Sequence, residues 1–142
     1  MDANIIISAL IHPAGKEASL IFDYAHIVDF AAPDFIYNEI LPKRNKIIAG
    51  SHHTENTLDE SLQLIIDKIS VFSVEKYETA VLNFAAVLTF SIDKKDTQYI
   101  ALTIFLEGLL WTGDLKLLRG LKRKGFTHII TTLDFVQIIK GL

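Results

Sequence analysis

The sequence contains no cysteine. Disulfides, thiolate zinc sites and cysteine nucleophiles are therefore excluded, and the composition fits the reducing cytoplasm. No apolar run reaches the roughly 18 residues a membrane-spanning helix needs. No basic segment leads into an apolar stretch and a small-residue cleavage site, so secretion is not expected. Internal repeats, low-complexity tracts and linkers are also lacking. The 142 residues fit one domain, 1–142, long enough to bury a real core. Positive charge is not in excess either. A formal net charge of -3 argues against a protein that coats nucleic acid.

What is present is apolar and periodic. Half the residues are hydrophobic, which rules out a disordered chain. Residues 27–33, "IVDFAAP", read as a short buried strand ended by proline. A helix follows over 34–48, with Asp34 as N-cap and Pro42 expected to kink or end it. Residues 49–57 are polar and loop-like. Thr57 and Glu60 form a capping-box pattern that opens a helix over 57–69. Residues 70–74 fit a short strand and 75–91 a helix with a strong apolar face. A further helix runs from Asp96 through Leu106, with Gly108 as its stop. "LLWT" (109–112) and "HIITT" (128–132) read as strands. "DLKLLRGLKRKG" is a basic helix closed by Gly125, and 133–142 form a terminal helix. Helices alternating with short apolar strands predict an α/β fold with a mostly parallel sheet.

That topology gathers acids. In a strand–helix–strand unit the helix N-terminus lies at the same sheet edge as the carboxyl end of the next strand. Asp96 opens a helix and Asp114 follows "LLWT". Both are expected at the carboxyl edge, where open α/β sheets place their ligands. Asp2 and Glu39 join them by the same reasoning. Four like charges in a poorly solvated cleft repel one another. Hard, oxygen-preferring divalent cations such as Mg²⁺ or Mn²⁺ relieve that repulsion.

Each acid also has a plainer reading. Asp96 and Asp114 are good helix caps in isolation. Asp93 reads first as a solvated loop acid, Glu39 as a surface acid and Asp2 as a terminal residue. The functional reading wins only jointly. His52 and His53 are adjacent on a polar loop and are expected to face solvent. His12, His26 and His128 lack ligand spacing. Trp111 is expected in the core rather than as a base-stacking platform.

The basic residues are clustered. Eight of the fourteen Lys and Arg residues lie in two stretches. Lys43, Arg44 and Lys46 follow Glu39. Lys116, Arg119, Lys122, Arg123 and Lys124 follow Asp114. A basic rim beside an acidic metal pocket suits a polyanion held along its phosphates, with Lys43, Arg44, Lys116 and Arg119 nearest the acids. A solvated helix face is an equal alternative.

Four segments taken together resemble PIN-domain nucleases. "DANIIISAL" resembles their D-x-N opening and "PDFIYNEI" their second acidic segment. "DKKDTQYIALTIFLEGLLWTGDLKLL" is similar to the third and fourth, and "IITTLDF" to a closing strand–helix. The resemblance implies a three-layer α/β/α sandwich with a mostly parallel central sheet. It further implies a Mg²⁺- or Mn²⁺-dependent endoribonuclease, with Asp2, Glu39, Asp96 and Asp114 as metal-binding and catalytic acids. Asn4, Thr112 and Asp93 would orient these acids or contact phosphate. Small members of the family look like VapC-type toxins, so RNA, a cognate antitoxin and a second copy of the chain are the implied partners. A homodimer is expected through "AVLNFAAVLTF" or "YIALTIFLEGLL". In that family a short apolar strand precedes the first aspartate. Here only Met1 does, so the strand is truncated, lies in an earlier start, or is rebuilt from "NIIIS".

Two other classes compete. A response-regulator receiver needs paired acids after its first strand and a lysine after its last, and neither is present. A catalytically silent PIN-like binding module is the runner-up.

Overall fold

The computed structural model describes all 142 residues. Helix α1 (Ala3–Ile11) turns sharply into α2 (Lys16–Tyr24). Strand β1 (Ala31–Pro33) leads to α3 (Ile36–Ile40), and a 3₁₀ turn at Leu41–Lys43 leads on to α4 (Arg44–Ala49). Then come α5 (Glu55–Ile66), β2 (Ser70–Phe72), α6 (Thr79–Thr89) and α7 (Thr97–Phe105). The chain closes with β3 (Leu110–Trp111), α8 (Leu115–Arg123), β4 (Ile129–Ile130) and α9 (Thr132–Lys140). The predicted α/β class holds: short parallel strands lie among helices, and the sheet does not close.

The sheet consists of two parallel pairs. β1 pairs with β2 in the register Ala31↔Ser70, and β3 with β4 in the register Leu110↔Ile129. Met1 and Asp2 bridge them. The Met1 amino group donates to the Ala31 carbonyl at 2.8 Å, and the Asp2 N–H donates to the Trp111 carbonyl at 3.0 Å. On the amino side of this bridge an apolar groove of about 620 Å³ separates the pairs, lined by Met1, Phe30, Phe72, Leu102 and Trp111 among others. "NIIIS" does not rebuild a strand there; it lies in α1. Ile5, Ile6 and Leu10 are almost fully buried, and that burial outweighs the weak helix propensity of β-branched residues.

The core is one cluster of 31 buried apolar side chains. Around it α1 contacts α2, α3, α4 and α5, while α7 lies on α6, β1 and β3. Trp111 is core as expected, edge-on to Phe135 at 4.7 Å.

Several boundaries differ from the sequence reading, each for a local reason. Asp34 does not cap α3. Its N–H donates to the Phe72 carbonyl at 2.8 Å and so prolongs the β1–β2 ladder. Pro42 interrupts the helix as predicted, and the break becomes a 3₁₀ turn. The capping box of α5 lies one turn earlier, with Thr54 as cap and Thr57 answering it. The stop of α7 falls on Glu107, which adopts φ +52°, rather than on Gly108. Gly125 closes α8 at φ +83°, as glycine readily does.

Candidate functional site: an acidic edge

Strand polarity brings the acids to one edge. Asp2 leaves the bridge between the sheet pairs and caps α1: the Asn4 N–H donates to its Oδ1 at 3.2 Å. Its Oδ2 accepts the Thr112 hydroxyl at 2.5 Å. Asp2 is only 3 % exposed, so these donors are what make its charge tolerable. Thr112 Oγ1 also accepts the Asp114 N–H at 3.0 Å, so one hydroxyl ties the first aspartate to the loop bearing the last. Asp114 caps α8 through Oδ1, which accepts the N–H groups of Lys116 (2.9 Å) and Leu117 (3.0 Å). Glu39, half-buried on α3, accepts the Tyr99 hydroxyl on Oε1.

Asp96 opens α7 yet makes no side-chain cap bond. Its carboxyl is pushed up to about 7, first by burial, then by the charges of Asp2, Asp93, Asp114 and Glu39. The shift requires all four to lie near it, and it makes Asp96 the least satisfied acid of the group. Asp93 is exposed, and its Oδ1 accepts the Lys95 N–H at 2.9 Å. Asn4 is exposed, and its backbone rather than its side chain engages Asp2.

No group of three or more of the His, Asp and Glu side chains is arranged to hold one ion. Oxygen donors with residual charge repulsion nevertheless fit a hard cation. Glu39 and Asp114 each give one oxygen to protein donors in fixing the carboxylate, Asp2 gives both, and Asp96 gives none. Asp2 is the most committed, with both oxygens engaged.

The basic residues divide. Lys116 and Arg119 are exposed on α8, directly after Asp114. Lys43 is half-buried in the turn after α3. Arg44 forms a two-pronged ion pair with Asp59 of α5 and donates to the Glu55 carbonyl at 3.0 Å. It thus braces α4 against α5. His53 does not face free solvent. Its Nε2 lies 2.8 Å from the Leu10 carbonyl and its Nδ1 3.2 Å from Thr57 Oγ1. The sequence reading missed Tyr99. Its signal was an aromatic residue with a polar tip three positions after Asp96, on the same helix face.

The four acids do not line the apolar groove between the sheet pairs. The candidate site rests on charge and geometry rather than on concavity.

No curated protein and no solved structure gives a significant match to the chain. A family model described as the PIN domain matches residues 1–134, and the acids gathered at the carboxyl edge fall within that match. The chain belongs to the PIN-domain family, whose members are generally nucleases.

Proposed function

We propose that this protein is an endoribonuclease that hydrolyses RNA phosphodiester bonds with Mg²⁺ or Mn²⁺ held by Asp2, Glu39, Asp96 and Asp114. One observation carries the reading. Asp96 is kept up to about 7 by burial and by four neighbouring carboxylates, a repulsion that a divalent cation offsets. When bound, such a cation acidifies water and neutralises charge on the phosphate. The protein's own groups do the rest. Thr112 and the Asn4 N–H hold Asp2 in one rotamer, and the start of α8 holds Asp114. Glu39 binds the cation or orients the attacking water. Asp93, outermost of the acids, adds negative charge at the rim.

Lys116 and Arg119 are exposed on the helix that Asp114 caps and suit phosphates flanking the scissile bond. Lys43 and, once released from Asp59, Arg44 extend that track. Nothing in this arrangement reads base edges. We further infer a toxin-like protein acting in the cytoplasm, with a cognate antitoxin. A homodimer through α6 is supported by its exposed Phe84 and Val87 and by Phe90 just beyond its end, whereas α7 is mostly buried. The whole chain, 1–142, is read as one nuclease unit.

A second reading has a specific observation behind it. No three acids are arranged around one ion, as suits a silent domain that only binds RNA or protein. Incubation of a mixed RNA pool with Mg²⁺ or Mn²⁺, with and without EDTA, separates the two. Metal-dependent cleavage supports the nuclease. Retention of RNA without cleavage supports the binding module.

A further inference from the structure

Three acid-bearing segments meet at one hydroxyl. Tyr99 lies in the first turn of α7, three residues after Asp96, so the two share a helix face. Its side chain is 1 % exposed. The hydroxyl donates to Oε1 of Glu39 on α3. The backbone N–H of Ala3, next to Asp2, lies near the same hydroxyl. The ring is held edge-on to Phe35, with centroids 6.2 Å apart. A buried tyrosine needs a partner for its hydroxyl, and phenylalanine fills the same space without one. Here the partner is a carboxylate from another helix. Burial, and next the Glu39 carboxylate, raise the phenol's pKa, so the group stays a proton donor.

We propose that Tyr99 is a positioning residue for Glu39: by holding Oε1 it fixes the carboxylate and leaves Oε2 free for the cation or the attacking water. Oε2 makes no hydrogen bond within the protein, in keeping with that division. The inference rests on the nuclease reading above and adds a residue to it. It also explains why α3, a helix of only five residues, carries an acid in a defined orientation: the restraint comes from α7.

The test is a double-mutant cycle of Tyr99→Phe and Glu39→Gln, read by Mn²⁺ titration calorimetry and by single-turnover RNA cleavage. Tyr99→Phe keeps the ring and its contact with Phe35 and removes only the hydroxyl. Loss of a group that orients a metal-binding side chain costs about 10–100-fold in metal affinity or activity. We expect Tyr99→Phe to weaken Mn²⁺ binding about 10-fold and to lower the cleavage rate, with RNA affinity unchanged. On the Glu39→Gln background the same substitution should add less than about twofold, because the two residues act through one contact. An undiminished effect on that background overturns the proposal. So does a Tyr99→Phe protein that binds Mn²⁺ and cleaves like wild type, or one that fails to fold. Wild type that takes up no Mn²⁺ overturns the nuclease reading as well, which distinguishes the two failures.

Discussion

Thr112 donates its hydroxyl hydrogen to Asp2 Oδ2 at 2.5 Å, across 110 residues of chain. Both side chains are buried, at 1 % and 3 % exposure. A near-isosteric Thr112→Val leaves a buried carboxylate short of one donor. Stability of the metal-free protein should fall by about 1–3 kcal/mol, and Thr112→Ser should recover most of it. Urea unfolding midpoints of the three proteins check this. If Val is as stable as Thr, the contact does not hold Asp2.

Asp96 gives the pH dependence. Its carboxyl is raised to about 7 in the fold against an ordinary value of 3.8. A raised acid binds its proton more tightly when folded. Its contribution to stability is therefore complete below about pH 4 and is lost as pH rises through 7. Allowing for solvent screening at a partly exposed site, the loss is on the order of 1–2 kcal/mol. Asp96→Asn should remove this slope and be more stable than wild type at pH 7.5 without metal. Thermal unfolding between pH 4.5 and 7.5 measures it. An identical slope in both proteins would contradict the assignment.

Tyr77 offers a contrast with Tyr99. Its hydroxyl is buried without a hydrogen-bond partner, and its pKa is pushed up to about 12, first by burial and then by Asp34. Removing an unsatisfied buried polar group relieves its desolvation cost. Tyr77→Phe should thus be neutral or stabilising by up to about 1 kcal/mol. Chemical denaturation decides, and a clear loss would mean the hydroxyl does have a partner.

The bridge between the sheet pairs also makes a prediction. Alternation along a parallel strand turns the N–H groups of Ala31 and Trp111 away from β2 and β4, toward the groove beside Met1. Neither makes a hydrogen bond. In amide exchange by NMR, Ala31 and Trp111 should exchange faster than Ala32, Leu110 and Thr112. Equal protection across all five would show that something else occupies the groove.

Much of this was legible in the sequence because it depends on polarity and period. A strand–helix alternation fixes which acids share an edge, and that reasoning placed Asp2, Glu39 and Asp114 as neighbours of Asp96, whose raised carboxyl feels all three. Local signals for Pro42 and Gly125 worked because proline and glycine act through their own backbone. What could not be read was partnership. Whether Asp34 caps a helix or extends a ladder depends on Phe72, far away in sequence. Arg44 and His53 looked free and are tied to Asp59 and Leu10. Tyr99 had no motif at all, since its role follows from where α3 packs.

The division of the basic residues is testable by salt dependence. Lys116→Ala and Arg119→Ala should each weaken RNA binding and lower the salt slope by about one. Arg44→Ala should change RNA binding less and stability more, because the Asp59 pair goes with it. Filter binding over a range of salt reports the first effect, and thermal unfolding the second.

The central claim is that the acids at the carboxyl edge form one metal-dependent cleavage centre. The most direct measurement compares wild type and Asp96→Asn on a mixed RNA pool in Mn²⁺, with an EDTA control and circular dichroism of both proteins. The account predicts cleavage by wild type alone, abolished by EDTA, with Asp96→Asn folded and inactive. A folded Asp96→Asn that cleaves as well as wild type, or a folded wild type that does not cleave in either metal, would contradict it.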